Sequence, residues 1–163
     1  MTQSLPQVAH EHHAVLLHNL DAMPAMADSL LAASSGDAHA GLNATRSFLE
    51  GTLLPHLDAA EATIYPELER MFQNRHSMAP MRREHAEIRR LVAEFGAAVD
   101  VAGSLTLSRT LSIRRIIFQL FALLKVHLAE EEAYIRILER GVAADVSEIL
   151  AAALAHPVAP TAG

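Results

Sequence analysis

The chain has 163 residues, of which 51% are apolar, 20% charged and 4% aromatic, about one ordinary domain in length and composition. Folding at this size buries roughly 70% of the unfolded surface, and the lack of any cysteine excludes a disulfide framework, a thiolate zinc site, a cysteine-ligated iron–sulfur cluster and a cysteine nucleophile. With 19 acidic against 13 basic residues, the net charge of −6 argues against duplex nucleic acid or an anionic membrane as the main partner. No uncharged apolar run approaches the ~20 residues of a membrane span. The opening MTQSLPQVAHEHH has neither the basic start nor the apolar run of a signal peptide, so a cytoplasmic location is expected.

Breakers and cap formers cluster at Ser34-Ser35-Gly36-Asp37, from Asn74 to Pro80, and at Ala102-Gly103-Ser104. The four long segments between them are rich in Ala, Leu, Glu and Arg. Their apolar residues stand three and four apart, and none shows the alternation of a strand. The first predicted helix runs from near Leu5 to Ala33, with Leu16, Leu20, Met23 and Leu30 in its stripe and Pro24 as a potential bend. The second covers about His39 to Met71, with a kink expected at Pro55, which leaves the Gly51 carbonyl without its partner and resets the direction of His56. The third spans about Pro80 to Val101 and the fourth about Leu107 to Leu138, with Gly141 as its expected C-cap. A short fifth helix is expected over Val142 to Ala155. The domain is then residues 1–156, followed by a frayed tail over 157–163. Four amphipathic segments on short loops predict an all-α, up-down-up-down four-helix bundle.

Ten histidines are the unusual feature. The chain holds one His-x-x-x-Glu pair, His127 and Glu131, and a single pair is what chance placement supplies, so position has to decide. Both residues fall within the apolar stripe of the fourth helix, among Leu120, Leu124, Leu128 and Leu138. A carboxylate buried there is costly unless it is paired or bound to a cation. His56 and Glu61 lie five apart on opposite flanks of the second helix's apolar face, with Ala60 between them. Glu61 either leans inward with His56 or belongs to a surface patch with Asp58. His85 and His13 precede their helices' apolar residues at the same offsets, as two ligands entering one core require, with His12 a rival to His13. His10, His18, His39, His76 and His156 fall on polar faces, loops or the tail and are assigned no role. Imidazoles with one or two bridging carboxylates and no thiolate suit iron, with manganese or zinc as competitors.

The segments EHHAVLLHNLDAM, LLPHLDAAEATIYPEL, MAPMRREHAEIRRLV and KVHLAEEEAYIRIL, over about residues 10 to 140, resemble the hemerythrin-like (HHE cation-binding) family, in particular its bacterial cytosolic members. The resemblance implies a four-helix bundle around two non-haem iron ions, oxo- and carboxylate-bridged. It assigns metal ligation to His13, His56, His85, His127 and Glu131, and places Tyr65-Pro66 where many bacterial members carry that pair. Two positions depart from the family's pattern. Ala60 stands where a glutamate is usual, with Glu61 as the candidate substitute ligand. Met81 and Arg89 flank His85 by four on either side, where the oxygen carriers have a further histidine. An open coordination position follows from that second departure. Tyr65, one turn after Glu61, either packs in the core or reaches the metal as an outer partner.

What the resemblance implies is binding or turnover of dioxygen, hydrogen peroxide or nitric oxide, in oxidative or nitrosative stress. Peroxide- or nitric-oxide-consuming activity is preferred to oxygen storage. The expected partners are these small ligands, with no nucleic acid and no membrane, and the expected state is a monomer or weak homo-oligomer. A non-catalytic metal or redox sensor is the alternative, and a helical module with incidental histidines is the third reading, which predicts no bound metal.

Overall fold

The computed structural model describes residues 5–100 and 105–141; the short helix expected over Val142 to Ala155 and the tail at 157–163 lie outside them. The fold is all-helical, and no strand occurs among the described residues. Helix α1 covers Leu5–Ser29, α2 Ser35–Phe48, α3 Leu54–Ala62, α4 Ile64–Met71, α5 Ala79–Asp100 and α6 Leu107–Gly141, with a π-helical turn at Leu49–Leu53 joining α2 to α3. Pro24 lies inside α1, which continues through it to Ser29. The Ser34 hydroxyl accepts the Asp37 N–H (3.2 Å) as an N-cap, so α2 begins at Ser35, earlier than the periodicity places it. Gln73, at φ 50°, and the Asn74 side chain, which accepts the His76 N–H (3.0 Å), make the turn into α5. Gly141 is helical instead of standing beyond the helix as a cap.

The second predicted helix differs most from expectation, because both its prolines act. Pro55 has no N–H to give the Gly51 carbonyl. The backbone meets this with a π turn, closed by Leu54 N–H donating to Leu49 O, and not with a simple kink. Pro66 leaves the Ala62 carbonyl in the same position. Here the helix breaks: Thr63 takes φ −124° and ψ −62°, and its hydroxyl and N–H both donate to Ala59 O (2.7 and 3.0 Å). A new helix starts at Ile64 with Pro66 in its first turn, where a missing N–H costs nothing. The restart buries Ile64, Tyr65 and Leu68 together.

The most extensive packing is of α1 and of α5 along α6. Side-chain pairs give the directions: His13 meets Glu131, Asp21 meets Lys125 and Asp28 meets Arg114, so α1 and α6 run antiparallel. Along α6 the inward residues are Ile113, Ile117, Leu120, Leu124, His127, Glu131 and Ile135, all with zero exposure, at the three-and-four spacing of a single helix face. The apolar side chains form two clusters. A large one contains Leu16, Leu20, Leu53, Phe95, Leu120 and Leu124, and a small one Ile64, Tyr65, Leu68, Met78, Met81 and Ile135. Each fully buried leucine stabilises the fold by about 1.5–3 kcal/mol. His127 and Glu131 interrupt this apolar stripe on α6 between Leu124 and Ile135, at the boundary of the two clusters.

Candidate metal centre

Four helices each deliver a buried histidine to that boundary: His13 from α1, His56 from α3, His85 from α5 and His127 from α6. Glu131, fully buried, stands among them. Ligand atoms of His13, His56 and Glu131 lie within 4.8 Å of one another, and so do those of His85, His127 and Glu131, making two donor groups that share one carboxylate. On one side, His13 and His56 Nε2–H both donate to Glu131 Oε2, at 3.0 and 2.9 Å. Glu131 Oε1, equally buried, has no partner among the described residues.

On the other side, His85 Nε2 and His127 Nε2 are 3.1 Å apart. An ionised carboxylate only accepts hydrogen bonds. His85 Nδ1–H donates to Glu61 Oε1 (2.7 Å) and His127 Nδ1–H to Glu84 Oε2 (2.9 Å), so the protons of both neutral rings are committed outwards. Both Nε2 atoms then present a lone pair to the interior, and the Tyr65 hydroxyl, 2.8 Å from His85 Nε2, is the one donor among the described residues that reaches either. Two imidazole acceptors and an orphaned carboxylate oxygen against that single donor form an electron-rich hollow that a cation satisfies, and imidazole with carboxylate is a donor set for iron, manganese or zinc.

The electrostatics agree with neutral rings at His85 and His127. Burial pulls His85 and His127 from the ordinary 6.5 down to about 4, with Glu61 opposing the shift at His85 and Glu131 opposing it at His127. Burial alone raises a carboxyl, yet the hydrogen bonds from His13 and His56 hold Glu131 well below the usual carboxylate range. Burial, then the nearby charge of Glu131, keeps the Tyr65 phenol protonated far beyond neutral pH, and its hydroxyl donates to His85 Nε2 (2.8 Å).

The structure therefore gathers His13, His56, His85, His127 and Glu131, the five residues that the sequence places inward. It does not bring Glu61 to the donor atoms. Glu61 is 30% exposed and sits behind His85, where its Oε1 also accepts from Arg89 (2.8 Å); burial raises its carboxyl, and Arg89 and His85 outweigh that to give a net lowering. Helix geometry explains the position: Ala60 takes the buried place that faces the cluster, and residue 61 is a further 100° round the helix. His12 also stays outside the donor groups, edge-on to His56 with ring centroids 5.1 Å apart, and His13 is the residue that meets Glu131. His10, assigned no role from sequence, ties α1 to α6 by lying 3.0 Å from both Glu132 and Glu139. Glu84, Glu132 and Arg89 are the contributors that sequence reading missed. The two glutamates have one signal, adjacency: Glu84 precedes His85 and Glu132 follows Glu131.

Between α1 and α6 a groove of about 440 Å³ extends to His13, lined by Ala14, Leu17 and Leu128 together with His10, Glu132 and Arg136. Among the described residues no helix is long and apolar enough to cross a membrane. The chain matches no family model, no curated protein and no solved structure.

Proposed function

We propose that the chain is a hemerythrin-like protein, an up-down-up-down four-helix bundle that holds two non-haem iron ions and binds or turns over hydrogen peroxide, nitric oxide or dioxygen. The observation that carries this reading is the pair of facing Nε2 atoms of His85 and His127, 3.1 Å apart with their protons committed outwards. His13, His56 and Glu131 would hold one ion and His85, His127 and Glu131 the other, with Glu131 common to both. When bound, such a pair supplies electrons and open positions for a small oxidant. The protein's part is to hold the His85 and His127 rings neutral, keep a proton on the Tyr65 hydroxyl beside His85, and surround the site with Leu, Ile and Met side chains that favour small uncharged ligands over ions.

Elemental analysis and optical spectra of freshly purified protein, before and after hydrogen peroxide, test the reading. We expect about two irons per chain and visible absorption that responds to peroxide. Evolution of dioxygen, with two H₂O₂ giving two H₂O and one O₂, would single out peroxide as the substrate. A folded chain that contains no iron and takes up none from a ferrous salt would sink it.

Two further results follow. Free ferrous iron at a hundred times its dissociation constant stabilises the fold by about 2.7 kcal/mol. For a domain of this size that corresponds to a melting temperature roughly 5–10 °C higher than in the presence of a chelator. Tyr65→Phe keeps the buried ring and removes one neutral hydrogen bond to His85, so it is expected to retain iron and lose about 1 kcal/mol of stability. The optical response to peroxide should change in this variant, because the proton nearest to His85 Nε2 has gone. Identical spectra in the two proteins would separate Tyr65 from the chemistry.

A further inference from the structure

Behind the donor atoms lies a second layer with its own order. Glu61 of α3 stands behind His85 of α5; Glu84 of α5 stands behind His127 of α6; Glu132 of α6 stands behind His13 of α1. Each helix thus supports the histidine of the next. In α5, α6 and α1 the supporting residue is the sequence neighbour of that helix's own inward donor: Glu84 beside His85, Glu132 beside Glu131, and His12 beside His13. His12 closes the ring, because it stands at His56 of α3. It is an imidazole where the other three positions hold carboxylates. No carboxylate among the described residues is paired with His56 except Glu131 on its inner side.

The supports are also unequal in strength. Glu84 Oε2 is 2.9 Å from His127, and no cationic side chain among the described residues shares it. Glu61 Oε1 is 2.7 Å from His85 and is shared with one cation, Arg89, at 2.8 Å. Glu132 is more distant from His13, at 3.3 Å, and divides itself among His13, His10 and Arg136. An outer carboxylate fixes the ring with its Nε2 lone pair inward and makes the imidazole a stronger donor. Both histidines of one group have this support. In the other group both rings turn an Nε2–H to Glu131; behind them His13 has only a longer, shared contact at Nδ1 and His56 has none.

From this asymmetry, and resting on the metal-centre reading above, we propose that the two groups take their ions with unequal affinity: His85, His127 and Glu131 fill first, and His13, His56 and Glu131 form the labile second site. Glu84 is then a positioning residue for the tight ion, and His12 marks the place where the support for the second is missing.

The test is a titration of cobalt(II) chloride into the metal-free full-length chain, followed by calorimetry and by the visible absorption of the bound ion. Two steps at least tenfold apart in affinity are expected, the first removed by His127→Ala and the second by His56→Ala. Glu84→Gln should loosen the first step by about 10–100-fold and leave the second in place. Glu61→Gln, at a half-exposed position, is the second probe of that step should Glu84→Gln fail to fold by circular dichroism. His12→Glu should tighten the second step and bring the two within tenfold. A single step, uptake of one ion only, or a Glu84→Gln effect confined to the weaker step would overturn the proposal while leaving a metal centre standing. A helical chain that takes up no cobalt at all would overturn the centre itself.

Discussion

Glu131→Gln is expected to leave the helices folded and the metal content at less than a tenth of the wild-type value. The substitution keeps the size and shape of the side chain and removes only its charge. Glu131 is the one residue common to both donor groups, fully buried, with Oε2 taken by His13 and His56 and Oε1 unpaired. Loss of an outer carboxylate usually costs 10–100-fold in metal affinity. Loss of the inner one shared by both ions should therefore exceed about 100-fold. Glu130→Gln is the control, since that side chain is exposed on the same turn of α6 and should change nothing. Circular dichroism reports the fold and elemental analysis the metal. A Glu131→Gln protein that retains its full metal content would show that the buried carboxylate is there for His13 and His56 alone.

The legible part of this site was the part written in helix periodicity. On α6 the spacing Leu120, Leu124, His127, Glu131, Ile135 is unbroken, so two polar residues in a buried stripe stand out from sequence. The same applies to His13 and His85, each at one offset from its own apolar residues. Prolines were legible as places of disturbance, but not for the form the disturbance takes: a π turn ahead of Pro55 and a full break ahead of Pro66. Both are backbone answers to a missing N–H, and the choice between them is made by tertiary packing, here the burial of Tyr65 against His85. Glu61 shows the other limit. Wheel arithmetic places it on a flank, and a long side chain on a flank has two directions available. Arg89, on another helix, holds it on the outer side of His85. The outer ring of Glu61, Glu84 and Glu132 was illegible for the same reason, since each of these residues acts on a histidine of a different helix.

The metal-free protein is expected to lose stability steeply between pH 6.5 and 4. His85 faces Glu61 from α3, Tyr65 from α4, and His127 and Glu131 from α6; His127 faces Glu84 and His85 from α5, and Glu131 within its own helix. Burial outweighs those neighbours and places both rings at about 4 in the folded chain, against 6.5 when unfolded. Between these values the unfolded chain takes up protons that the folded chain refuses, so lowering the pH favours unfolding. The difference corresponds to roughly 3 kcal/mol for each imidazole, and a small domain has about 5–15 kcal/mol in all. Glu131, held below the carboxylate range, adds loss in the same direction, but only as pH falls below about 4.5. His10 works the other way. Burial lowers it, the bonds to Glu132 and Glu139 outweigh that and raise it, and the pair gains strength as pH falls, though at an exposed position such pairs contribute little. Thermal melts in a chelating buffer at half-unit steps from pH 7.5 to about 4 measure the balance. Replacing His127 by Gln should flatten the upper part of the profile, because its amide has no proton to take up. A melting temperature that stays level from 6.5 to 4 in the wild-type chain would mean that His85 and His127 take up protons in the folded chain as readily as in the unfolded one, and they would not be the buried, proton-refusing pair on which the metal centre rests.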